Sequence, residues 1–91
     1  MKIMDALILK VSSKSNPNLV ANALTGRIKE AGDAELQAIG AGAINQAVKA
    51  VAITRNIFLQ SGVELVCIPS FEDLTIDDQV RTSIKLKVEP R

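Results

Sequence analysis

The chain reads as an α/β protein of the α+β two-layer kind, with the element order β-α-β-α-β-β and a long C-terminal hairpin. Three observations predict this. Short alternating apolar segments recur between two stretches of helical periodicity, each helix opens on a recognisable start signal, and two extended segments close the chain without a helix between them. Ninety-one residues leave room for one domain, read as 1–91. A chain of this length buries roughly 64% of its unfolded surface on folding, enough for a small core without metal or disulfide.

Residues 4–12 alternate from Leu7 through Leu9 to Val11 and read as the first strand. A polar loop, Ser12-Ser13-Lys14-Ser15, leads to Asn16 as N-cap and Pro17 at the first helical position. Leu19, Val20, Ala23, Leu24, Ile28 and Ala31 then fall on one expected helical face, and Gly32 suits a left-handed cap. Ala34 to Ile39 forms a short second strand, with Leu36 and Ala38 on one face and Glu35 and Gln37 on the other. Gly40-Ala41-Gly42 opens a second helix, expected from about Ala43 to Leu59. That helix is apolar around most of its circumference, and burial against a second subunit is the natural expectation. Val63 to Ile68 reads as a third strand; Pro69 marks a bend or an edge. Leu74 and Ile76 continue to a turn at Asp77-Asp78-Gln79, and Ile84, Leu86 and Val88 alternate in the last strand.

Composition narrows the function. The sequence is 47% hydrophobic and 23% charged, which excludes a disordered chain. No apolar stretch approaches the ~20 residues of a membrane span. A single cysteine, Cys67, permits no internal disulfide, so a reducing cytoplasm is the expected compartment. The absence of histidine removes the commonest general base and a common metal ligand, and an enzyme is not expected. No cofactor or catalytic residue is assigned. Glu72, Asp73, Asp77 and Asp78 lack a calcium-loop pattern and read as a solvated hairpin rather than a metal site. Cys67, between Val66 and Ile68, reads as a buried small hydrophobe rather than a nucleophile. The net charge of +1 does not by itself announce a basic surface.

The chemistry-bearing candidates lie at the helix starts. Gly40-Ala41-Gly42-Ala43-Ile44-Asn45 is compatible with a tight strand-to-helix turn, with an anion site for nucleic-acid phosphate, or with a free nucleotide. Asn45 stands where a dinucleotide fingerprint has its third glycine. Lys14, in the loop before the first helix, is placed to reach a phosphate. Asn45 and Lys49 share a helical face at i, i+4, and Gln46 lies beside them as a further donor.

Three segments then carry a resemblance. Residues 10–24 (Lys-Val-Ser-Ser-Lys-Ser-Asn-Pro-Asn-Leu-Val-Ala-Asn-Ala-Leu), residues 38–53 (Ala-Ile-Gly-Ala-Gly-Ala-Ile-Asn-Gln-Ala-Val-Lys-Ala-Val-Ala-Ile) and the ending Ile-Lys-Leu-Lys-Val-Glu-Pro-Arg resemble the bacterial stage V sporulation protein S family over nearly the whole chain. The resemblance implies a cytoplasmic protein in sporulation control, or its counterpart in bacteria that do not sporulate. More distantly, Ala43-Ile-Asn-Gln-Ala-Val and Ile53-Thr-Arg-Asn-Ile-Phe-Leu look like the Alba family of archaeal chromatin proteins, which are dimeric nucleic-acid binders. That likeness implies an Alba-like fold and a homodimer capable of higher assembly, with DNA or RNA as partner. Lys14 matches one of the family's paired loop lysines, while Ser13 replaces the other. Gly40-Ala41-Gly42 stands in place of an Arg-Gly-Arg. The family's hairpin reaches along the DNA minor groove; here it carries Asp77 and Asp78 at its turn, with Arg81 nearby. Phe58 matches an aromatic used in subunit association. These replacements imply weak, sequence-tolerant phosphate contact. The competing reading is an interaction module that kept the fold, lost nucleic-acid binding, and uses the glycine turn for a small anion.

Overall fold

The computed structural model describes residues 8–91, in the order β1 (Ile8–Val11), α1 (Pro17–Ala31), β2 (Ala34–Ala38), α2 (Ala41–Leu59), β3 (Leu65–Ile76) and β4 (Gln79–Pro90). The part of the expected first strand before Ile8, Leu7 included, lies outside the described residues. The four strands form one sheet in the order β1-β2-β4-β3. β1 runs parallel to β2, as a βαβ connection requires, and β4 is antiparallel to both β2 and β3. The two helices pack on each other and on the sheet, giving the two layers that the alternating pattern predicted.

Local chemistry sets the helix limits. Asn16 is the N-cap of α1, its Oδ1 accepting from the backbone N–H of Asn18 at 2.8 Å and of Leu19 at 3.4 Å. At the other end Gly32 adopts φ 92° and donates its N–H to the Ile28 carbonyl at 2.8 Å. The buried side of α1 is rotated from the expected face: Ala21, Leu24 and Ile28 are buried, whereas Leu19 is 66% exposed. The cause is α2, which covers the Ala21 side. There Thr54, fully buried on α2, donates to the Ala21 carbonyl at 3.2 Å and accepts from Thr25 at 3.4 Å.

α2 begins two residues earlier than its periodicity predicted, because Ala41 and Gly42 are small enough to enter the first turn. Its inward face is built of small residues, Ala43, Ala47, Ala50 and Thr54, at i, i+4, i+7 and i+11. Small side chains let the helix approach its neighbours closely, and they displace the larger apolar groups outward. Val48, Ile57 and Leu59 are accordingly exposed. The core joins Leu24, Ile28, Leu36, Leu65, Leu86 and Val88, with Ile44, Val51 and Phe58 packed against it.

β3 runs unbroken from Leu65 to Ile76, longer than expected, and Pro69 sits within it opposite Leu86. An edge strand accommodates a residue without an N–H, and β3 is an edge. Asp77 and Asp78 have φ of 52° and 63°, so a two-residue turn joins Ile76 to Gln79 with both central residues left-handed. The hairpin continues past the ends of β1 and β2: their last paired residues, Val11 and Ala38, are level with Ile84, and β4 begins at Gln79. Among the described residues no helix is long and apolar enough to cross a membrane.

Candidate nucleic-acid interface

The topology brings three of the candidate segments to one end of the molecule. The β1–α1 loop with Lys14, the α2 start at Gly40–Gly42, and the outer half of the hairpin meet beyond the carboxyl ends of β1 and β2. A cavity of about 520 Å³ opens there, lined by Lys10, Ser12, Ser13, Gly40, Gly42, Leu74 and Ile76 among others.

Gly40 is the N-cap of α2, with φ 89° and ψ 156°, and it makes no side-chain cap. No other residue type adopts that backbone without strain. The first N–H groups of a nineteen-residue helix are therefore left without an intrahelical or side-chain acceptor, at the positive end of its dipole. Gly42 is required for a different reason. A Cβ built there would lie 2.9 Å from the Ser13 Cβ, so this glycine lets the β1–α1 loop press against the helix.

The loop is itself organised by short bonds. The Lys14 N–H donates to Ser12 Oγ at 3.2 Å, and the Ser15 N–H donates to the Ser12 carbonyl at 3.1 Å. Gln46 donates from Nε2 to the Ser15 carbonyl at 2.9 Å. Its amide nitrogen thus ties the loop to α2, a role that the sequence did not disclose. Asn45 and Lys49 stand exposed on α2. Arg81 pairs with Leu74 on the hairpin and shares its sheet face. Phe58 lies at the far end of α2, half-buried against the core and away from this site.

Ion pairing separates the cations. Lys85 and Lys87 face carboxylates of Glu35, Asp33 and Glu89 at 3.7–3.9 Å, and Arg55 and Arg91 face Glu64 at 3.3 and 3.5 Å. Among the described residues, Lys10, Lys14, Lys29, Lys49 and Arg81 make no such pair, and of these Lys29 lies apart, in the last turn of α1. Sequence reasoning had passed over Lys10, Gln37, Leu74 and Ile76 as site residues. Gln37 was placed only on the strand face opposite Leu36 and Ala38, Lys10 carried no assignment, and nothing local shows that Leu74 and Ile76 close a cavity.

Cys67 departs from expectation: it is exposed, because β3 is an edge and its partner Val88 takes the buried position. Although its surface is open, nearby packing withdraws enough water to hold the thiol above its ordinary pKa. It is therefore a weak nucleophile at neutral pH. Among the described residues no group of three or more Cys, Asp or Glu is positioned to hold a metal ion.

Comparison with known proteins agrees with this architecture. The structure of Alba from Thermoplasma volcanium is similar to this chain with a TM-score of 0.59 at 19% identity, over 90% of this chain and 95% of that one. At that identity the likeness establishes the Alba-like fold. The family model described as Stage V sporulation protein S matches residues 7–91. With its predicted segments, element order and fold all in agreement, the chain belongs to the Stage V sporulation protein S family.

Proposed function

We propose that the protein is a non-enzymatic, nucleic-acid-binding regulator that acts in the cytoplasm as a homodimer, in sporulation control or its counterpart. The observation that carries this reading is the convergence at one end of unpaired cations and uncapped helix N–H groups. Lys14 and the α2 N-terminus meet phosphate, Asn45 and Lys49 extend the contact along α2, and Arg81 reaches in from the hairpin. Gln46 serves this surface indirectly, by fixing the loop that carries Lys14. The cleft presents donors and positive charge rather than an acid–base pair, in a sequence without histidine.

The dimer reading rests on α2. Val48, Ile57 and Leu59 are 51%, 37% and 40% exposed on a helix that has no remaining partner within the described chain. Two-fold symmetry doubles a modest set of phosphate contacts, and affinity depends on how many phosphates are neutralised.

A second reading has its own support. The hairpin tip carries the exposed Asp77 and Asp78, with Val80 next to the turn 70% exposed and Phe71, further along β3, 79% exposed. That combination favours an interaction module that recognises protein and binds at most a small anion. Titration of wild type and Lys14→Glu with DNA and with RNA at two salt concentrations separates the two. The nucleic-acid reading expects affinity that falls steeply with salt, and a salt slope smaller by about one per lost contact in the variant. Absence of binding at low salt assigns the protein to the interaction class.

A further inference from the structure

The cavity between the strand ends and the hairpin is more than the rim of a phosphate site. We propose that it receives a single unpaired nucleobase, with the phosphate of the same nucleotide on the α2 N-terminus. This rests on the nucleic-acid reading above and specifies its ligand.

Its size fits. About 520 Å³ lies inside the roughly 300–1,000 Å³ range of small-molecule sites. Its walls are mixed in a particular way. Val11, Ile39, Leu74 and Ile76 supply aliphatic surface from two directions, the strand ends and the hairpin. Between them stands Gln37, a polar residue only 8% exposed. Its Nε2 donates to Glu72 Oε1 at 2.9 Å, which fixes the amide's orientation. The carbonyl Oε1 of this buried, cavity-lining side chain makes no hydrogen bond among the described residues, whereas polar groups of buried residues are generally paired. Gly40 and Gly42, at the uncapped start of α2, line the same cavity, as does Lys10.

These features together select the ligand. Inorganic phosphate would use the helix N–H groups and leave the aliphatic walls wet. An aliphatic acid would cover the walls and leave the Gln37 acceptor unmet. A nucleotide presents an anion, a flat face for aliphatic contact and an edge that carries N–H donors. A base inside a duplex has both its faces and that edge occupied, so only an unpaired base can enter. The source is a single strand or a free nucleoside monophosphate, which share this chemistry.

The test compares four probes by fluorescence anisotropy or titration: a single-stranded 12-mer, the same strand with abasic sites, the corresponding duplex, and a nucleoside monophosphate. The variants are Gln37→Met, which removes the acceptor at similar volume, and Ile76→Ala, at a position 40% exposed where folding is not at risk. From one hydrogen bond and aliphatic contact with the base, the intact single strand is expected to bind about tenfold tighter than its abasic form. Each variant should erase most of that difference while leaving duplex affinity unchanged. Equal affinity for intact and abasic strands, or an unaltered ratio in a folded Ile76→Ala protein, overturns the base site while the phosphate reading stands. If neither strand nor duplex binds, the phosphate reading fails. The monophosphate then decides: amide shifts at Gly40–Ala43 that are lost in Gln37→Met support the cavity as a free-nucleotide site, and their absence overturns it.

Discussion

Replacing Gly42 by alanine tests the contact that sets the site's geometry. The new Cβ would lie 2.9 Å from the Ser13 Cβ and 3.8 Å from its Cα, and carbon atoms in ordinary contact stand at about 3.5–4.0 Å. Ser13 has no flexible end to swing away at that point, so the loop or the helix start must move by about half an ångström. Overpacking of this kind typically costs about 1–3 kcal/mol. Alanine in place of glycine in a helix returns at most about 1 kcal/mol, less in a first turn. The net expectation is a loss of about 1 kcal/mol, or roughly 4–8 °C in Tm for a domain of this size. Ser13→Gly removes the opposing Cβ, so the double variant should recover most of the loss. A double-mutant cycle by urea denaturation should give a favourable coupling of about 1 kcal/mol. Nucleic-acid affinity should follow the same pattern, weakened in Gly42→Ala and restored in the pair, because the same loop carries Lys14. A Gly42→Ala protein as stable as wild type, with no coupling to Ser13, would refute the close-approach argument. The same clash makes Gly42→Asp a poor probe of the anion site, since its carboxylate effect and its packing effect arrive together.

Other perturbations address separate parts of the fold. Thr54→Val keeps the volume but removes the hydroxyl between Ala21 and Thr25, and urea denaturation should show a loss of about 1–2 kcal/mol. Replacing Asp77-Asp78 by Asn-Gly suits the two left-handed positions and removes two negative charges at the tip. It should raise Tm slightly and tighten nucleic-acid binding at low salt; unchanged affinity would take the hairpin away from the interface. Val48→Glu puts a charge on the exposed apolar side of α2 and should shift sedimentation from dimer to monomer without loss of helicity. A monomeric wild type at micromolar concentration would end the dimer reading instead.

What the sequence disclosed depended on how local the governing physics is. The limits of α1 were legible because a cap involves residues two to four apart: Asn16 with Asn18 and Leu19, Gly32 with Ile28. The turn at Asp77-Asp78 was legible for the same reason. The extent of β3 was not, since Pro69 reads as an interruption until β4 is known to cover one side of the strand and leave the other open. The buried face of α1 was legible in part: Leu24 and Ile28 lie on it as expected, but Ala21 is buried and Leu19 exposed because α2, a long-range neighbour, decides that side. Lys14 and the glycine turn could be picked out from their places before helices. Gln46 and Gln37 could not, because one owes its role to a carbonyl thirty-one residues away and the other to a carboxylate thirty-five away.

The position of β4 has a consequence for how the chain comes to be made. Every other element precedes this strand in the chain, yet it lies inside the sheet, holding β2 on one side and β3 on the other. Val88 and Leu86 from this strand complete the core. During synthesis β1, α1 and β2 can therefore emerge and assemble as a unit, but β3 has nothing to pair with until residues 79–90 have been added. Until then the growing polypeptide carries an open edge on β2, with the apolar residues of α2 and β3 awaiting cover. Such a nascent intermediate is prone to association and is a natural client for chaperones. Translation that stalls just before β4 would yield an aggregating product, not a shortened but folded one.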